Sequence, residues 1–168
     1  MYTKSDKPSI SKKPITCYKI LKGKYGYETP FMGWTVVDDI IEGKRNFKAP
    51  DKDAFGRLHT IEKTHNPYGE GDLYQIKGGY IHCFTNIQKV KKAKKEYKEY
   101  FGAYEEYVEA YKEFRNLTIF ECEIPVGVEY YEGLEYNDTI CAKEIKFIRK
   151  IETEEDEEGK DNENPPGV

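Results

Sequence analysis

Between residues 79 and 151 the polarity rhythm of the chain changes twice, and those changes limit what the chain can fold into. Residues 79–84 (GYIHCF) alternate, with Tyr80, His82 and Phe84 on one side and Ile81 and Cys83 on the other. That period of two marks a strand. From Ile87 the rhythm turns helical. Val90, Tyr97, Tyr104 and Tyr111 recur every seventh residue, with Ala93, Tyr100 or Phe101, and Tyr107 or Val108 between them. This is a heptad-like stripe. Thr85, with Gln88 three residues on, predicts a capping box at the start of the helix. The stripe predicts a helix that ends near Asn116. Gly102 in its middle costs about 1 kcal/mol, so two helices meeting there is the alternative.

Strand signals follow. Residues 117–124 (LTIFECEI) are β-rich and stop at Pro125, and residues 127–131 (GVEYY) continue that strand or pair with it. Residues 138–151 (DTICAKEIKFIRKI) predict one long strand, with Ile145, Phe147, Arg149 and Ile151 on one face and Lys146, Ile148 and Lys150 on the other. Upstream, residues 15–21 (ITCYKIL) predict a strand. Residues 34–37 predict a second, or lead into a helical turn over 38–42. Residues 44–71 are rich in Asn, Asp, Gly, Pro and Lys, with Phe47, Phe55 and Leu58 as isolated apolar anchors. That length predicts structure of its own. Residues 73–76, followed by Lys77-Gly78-Gly79, predict a hairpin into the strand at 79.

These elements predict a single α+β domain over residues 15–151, mostly antiparallel sheet packed with one long Lys/Tyr-rich helix. Residues 1–14 are expected to be a flexible polar arm without the apolar core of a signal peptide. Residues 152–168 hold eight acidic side chains and one Lys, which predicts a disordered acidic tail. The tail carries −7 of a net charge of −4, leaving +3 on the rest of the chain. No segment has the roughly 20 apolar residues of a membrane span. Cys17, Cys83, Cys122 and Cys141 each lie in a β-like apolar segment, and none forms a Cys-x-x-Cys pair. The expectation is four buried, reduced thiols in a cytoplasmic protein. Two disulfides, or zinc with His82, are the alternatives.

The order of "GYIHCF", helix, "FECEIPVG" and "NDTICAKEIKFIRKI" resembles a family of small phage and prophage proteins to which no chemistry is assigned. The residues that carry the resemblance are Gly79, His82, Cys83, Asp138, Ile140, Cys141, Ala142, Lys143 and Ile145. It covers about half of the chain, and departs from the family pattern where Ile81 separates Tyr80 from His82. It implies a host-cell setting and an anti-defence role such as inhibition of a host nuclease. The strand order is also similar to a degraded ADP-ribosyltransferase core. That likeness implies Tyr18 on the early strand, Thr85 and His82 on the middle one, and Glu135 (or Glu121 and Glu123) as the acid. The early strand offers Tyr18 and Lys19 where that family has Arg or His.

No Gly-x-Ser-x-Gly elbow and no phosphate-binding Gly-rich loop is present. His59 and His65 read as surface residues and His82 as a core histidine, so no catalytic residue, metal or cofactor is expected. The helix is the expected working surface. Its first half is Lys-rich and its second half Glu-rich, a polarity that opposes the helix dipole. Lys91, Lys94, Lys95 and Lys98, with Tyr97, Tyr104 and Tyr111, form the candidate binding set. The expected partner is a host or phage protein, or a second copy of the chain through the helix. Nucleic acid, with lysines on phosphates and tyrosines on bases, is a further reading.

Overall fold

Strand β3 organises the molecule because it is apolar on both faces and so needs partners on both. The computed structural model describes residues 1–51, 61–67, 69, 71–76, 78–104 and 108–153. The expected tail beyond Thr153, and Phe55, Leu58 and His59, lie outside the described residues. In chain order the elements are β1 Tyr2–Thr3, β2 Ser9–Ile10, β3 Ile15–Lys22, β4 Tyr27–Glu28, β5 Thr35–Val36, α1 Asp38–Ile41, β6 Phe47–Lys48, β7 Ile61–His65, β8 Asp72–Ile76, β9 Ile81–Phe84, α2 Ile87–Gly102, a 3-10 helix Glu109–Arg115, β10 Leu117–Ile124, β11 Glu129–Glu132, β12 Thr139–Ala142 and β13 Glu144–Ile151.

The main sheet runs β2-β11-β12-β9-β3-β10-β13-β6, and every described pairing is antiparallel. A smaller sheet, β1-β8-β7, packs beside it. Residues 138–151 are not one strand: β12 and β13 flank opposite sides of the β9-β3-β10 trio, with Lys143 alone between them. Four strand spacings of about 4.8 Å separate the two in a flat sheet, whereas one connecting residue reaches only about 7 Å. The sheet therefore curls on itself into a barrel-like enclosure. Lys143 holds the joint with its N–H on the Glu129 carbonyl (3.0 Å) and its carbonyl on the Ala49 N–H (2.8 Å).

Alternation then sorts side chains between two cores. Inside the enclosure lie Cys17, Leu21, Ile81, Cys83, Phe120, Cys122, Ile124, Ile140, Ile145 and Phe147. Outside, under α2 and the 3-10 helix, lie Ile20, Val90, Ala93, Phe114, Leu117, Ile119 and Ile151. Ile151 thus faces away from Ile145 and Phe147, against the expectation from plain alternation. A β-bulge is the reason: Glu121 pairs with Arg149 but the next residue, Cys122, pairs with Phe147, so Ile148 is extra and the three residues after it change face. A third cluster of Ile76, Tyr80, Tyr131 and Cys141 joins the two sheets.

Several other expectations are corrected. The helix cap is Asn86, not Thr85: the Asn86 side chain accepts from the N–H groups of Gln88 (2.8 Å) and Lys89 (3.1 Å). The α-helix stops at Gly102, and the 3-10 helix carries the chain from Glu109 towards β10. Residues 105–107 lie outside the described residues. Residues 73–76 do not form a hairpin with β9, since β8 pairs with β1 and β7 in the smaller sheet. Strand β11 pairs with β12 and β2, not with β10. The N-terminal arm is paired into both sheets through β1 and β2, and Ser11 is fixed to Pro125 and Val128. No helix among the described residues is long and apolar enough to cross a membrane.

Candidate functional site

The α2 surface follows from its cap and its stripe. Val90, Ala93, Tyr97 and Phe101 face the sheet, because residues three, four and seven apart share a helix side. At 100° per residue, Lys91, Lys95 and Lys98 fall together on one flank of that buried stripe, and Tyr100 falls on the opposite flank. Lys95 and Lys98 are exposed and Lys91 is half-buried. Lys94 belongs to a different environment: it is buried, and its Nζ donates to the Thr153 hydroxyl (2.9 Å). Tyr97 and Tyr111 pack into the outer core. Tyr104 does not, because the helix has already ended at Gly102, and it is 48% exposed.

The tyrosines belong to a larger aromatic array. Phe101 stacks on Phe114 at 4.2 Å and meets Tyr111 and Tyr100 at 5.0 Å each. Tyr100 meets Tyr104 at 5.5 Å, and Phe31 comes from a distant loop to meet Tyr97 at 5.3 Å and Phe101 at 5.8 Å. Phe31 and Tyr100 are 63% and 62% exposed. Phe31 carried no local signal in the sequence, since only the fold brings its loop to α2.

The residues of the transferase-like reading are spread over several sites. Tyr18 lies on the helix side of β3. Thr85 is exposed, and its N–H donates to the Asp138 carbonyl (2.8 Å). Glu135 lines a cavity of about 830 Å³ with Lys4, His65 and Tyr136, whereas His82 lines a different one. Glu121 is bound to Arg149 through two 3.3 Å contacts. Among the described residues, no group of three or more His, Cys, Asp or Glu is placed to hold a metal ion.

The residue that sequence reasoning passed over is Lys19. Alternation places it with Cys17 and Leu21, so its inward direction was legible. It is only 7% exposed, and its Nζ donates to the His82 carbonyl (2.8 Å). Burial pushes its pKa down. His82 is held neutral far into acid, down to about 3, by burial first and then by the positive charges of the α-amino group and Lys19. The four cysteines are free and buried. Burial pushes Cys122 up and Cys141 up to about 12, so these thiols stay protonated. Comparison of the chain with protein-family models, curated proteins and solved structures finds no match.

Proposed function

We propose that the chain acts by binding a protein partner along the solvent side of α2, without catalysis. The observation that carries this is the exposed aromatic array. Phe31, Tyr100 and Tyr104 offer ring surface to solvent while Tyr97 and Phe101 anchor it to the core. Contiguous exposed apolar surface marks interaction sites, and rigid aromatic rings bind with little loss of freedom. A helix is only about 10–12 Å wide, so a partner seated on it reaches both the Tyr100 flank and the Lys91–Lys95–Lys98 flank. The lysines select an acidic partner and speed its approach. In the setting that the phage resemblance implies, that partner is a host protein and binding inhibits it. A second copy of this chain is the competing occupant.

The test is capture of partners from nuclease-treated host lysate by the wild type and two variants. Lys95→Glu with Lys98→Glu and Tyr100→Ala with Tyr104→Ala should stay folded by circular dichroism, yet each should lose the protein that the wild type retains in stoichiometric amount. Equal retention by both variants overturns the reading. Binding that vanishes on nuclease treatment favours nucleic acid. Concentration-dependent self-association that Tyr104→Ala abolishes favours the homodimer. Label from NAD that enters a target and disappears in Glu135→Gln favours the transferase.

A further inference from the structure

Beside β3 lies a half-open cavity of about 290 Å³, next to the lower end of small-molecule sites, which run from roughly 300 to 1,000 Å³. Its walls include Met32, Trp34, Ile76, Tyr80 and His82, and the side chain of Lys19 reaches it from the barrel interior. We propose that this cavity binds a small aromatic carboxylate, with its anionic end on Lys19 and its ring against Trp34.

An ammonium group has three donors. The hydrogen bond of Lys19 to the His82 carbonyl (2.8 Å) uses one of them. Among the described residues no carboxylate lies within ion-pairing distance of Lys19, and its titratable neighbours in the interior are the thiols of Cys17, Cys83 and Cys122. A cation taken from water without a counter-charge is costly, and the arrival of an anion relieves that cost. The cavity gives such an anion room beside Lys19. His82 stays neutral there and adds no competing charge. Most of the remaining walls are aromatic, aliphatic and thioether groups, which suit a flat hydrocarbon body; Thr29 and Met1, whose α-amino charge acts on His82, also line the cavity. The cavity shares Phe31 with the aromatic array on α2, whereas Lys19, which would hold the anion, is no part of that surface.

The chain has a single Trp, so Trp34 fluorescence reports on this cavity. Titration of the full chain with benzoate should give a saturable change, and the neutral isostere benzamide should give none over the same range. Lys19→Gln keeps a donor for the His82 carbonyl but removes the charge, and should weaken benzoate by about tenfold or more, as for loss of a hydrogen bond to a charged group. Lys19→Met should do the same. Benzamide binding as tightly as benzoate, equal benzoate binding by wild type and Lys19→Gln, or no saturable response to benzoate or phenylacetate at millimolar concentration each overturns the proposal. If neither variant folds, the contrast between benzoate and benzamide on the wild type decides it.

Discussion

The two faces of the curled sheet both bury lysines, and they treat them differently. On the outer face Lys22 lies 3.7 Å from the Glu113 carboxylate and 5.2 Å from the centre of the Phe114 ring, and Lys94 bonds the Thr153 hydroxyl. These contacts tie the 3-10 helix to β3, and α2 to the segment that follows β13. On the inner face Lys19 has one backbone carbonyl and an adjoining cavity. A buried cation that bridges two elements stabilises their arrangement. One that faces space is a cost to the empty protein and an asset to a ligand complex.

The contrast is broken most severely at the rings that close each face. Phe147 is 2% exposed and meets Phe120 at 5.4 Å and Phe47 at 6.4 Å inside the enclosure. Phe147→Ala should cost about 3–5 kcal/mol in urea unfolding, because the closed wall around it leaves little room to collapse. Phe114→Ala, under the open aromatic array, should cost about 1–2 kcal/mol less, since Phe31 and Phe101 can settle into the gap. Equal losses would mean that the outer array is as rigid as the barrel.

The lysines themselves give the next effect. Lys19→Met should raise stability by about 1–2 kcal/mol, as replacing an uncompensated buried charge by an apolar side chain often does. Lys94→Met should lower it by about 1 kcal/mol, since it leaves the Thr153 hydroxyl without this donor. Unfolding midpoints of the two variants measured side by side check the opposite signs. If Lys19→Met is the more destabilised of the two, the inner lysine is a structural one.

The pH dependence is the smallest effect. In the unfolded chain His82 takes up a proton near 6.5, whereas in the fold it stays neutral down to about 3. The unfolded state therefore binds more protons between those values, and stability falls as pH drops through them. Lys19, with its pKa lowered in the fold, adds a gain in stability as pH rises towards the value it has when unfolded. His82→Gln should flatten the acid limb and Lys19→Met the alkaline one. Unfolding curves from pH 4 to pH 9 separate the two.

The sequence displayed the parts of this fold that repeat locally. The strands at 15–21 and 117–124 and the stripe from Val90 to Phe101 all carry their own period. Thr85 and Asn86 are both good caps one residue apart, so the pattern could not choose between them. What it could not display depends on partners distant in the chain. The bulge at Ile148 exists only because Glu121 and Cys122 meet Arg149 and Phe147. The turn at Lys143 looks like one more strand residue until β9, β3 and β10 are placed between its two sides. Lys19 reads as an ordinary strand lysine, because its burial requires β9 on one side and β10 on the other. The candidate site was half legible: the tyrosines and lysines of α2 stood out, while Phe31 and the cavity beside Lys19 are products of tertiary structure alone.

The central place of β3 has a consequence for synthesis of the chain. Its neighbours are β9, which ends at Phe84, and β10, which ends at Ile124 and pairs with β3 along its whole length. The ribosome makes β3 early and its chief partner about 100 residues later, a delay of roughly 5–20 s at about 5–20 residues per second. For that interval an apolar strand waits beside the exit tunnel with the edge that β10 will cover unpaired along its whole length. The nascent chain is thus a client for a holding chaperone, and codons that slow translation between residues 22 and 117 should increase aggregation of this protein without changing its folded stability.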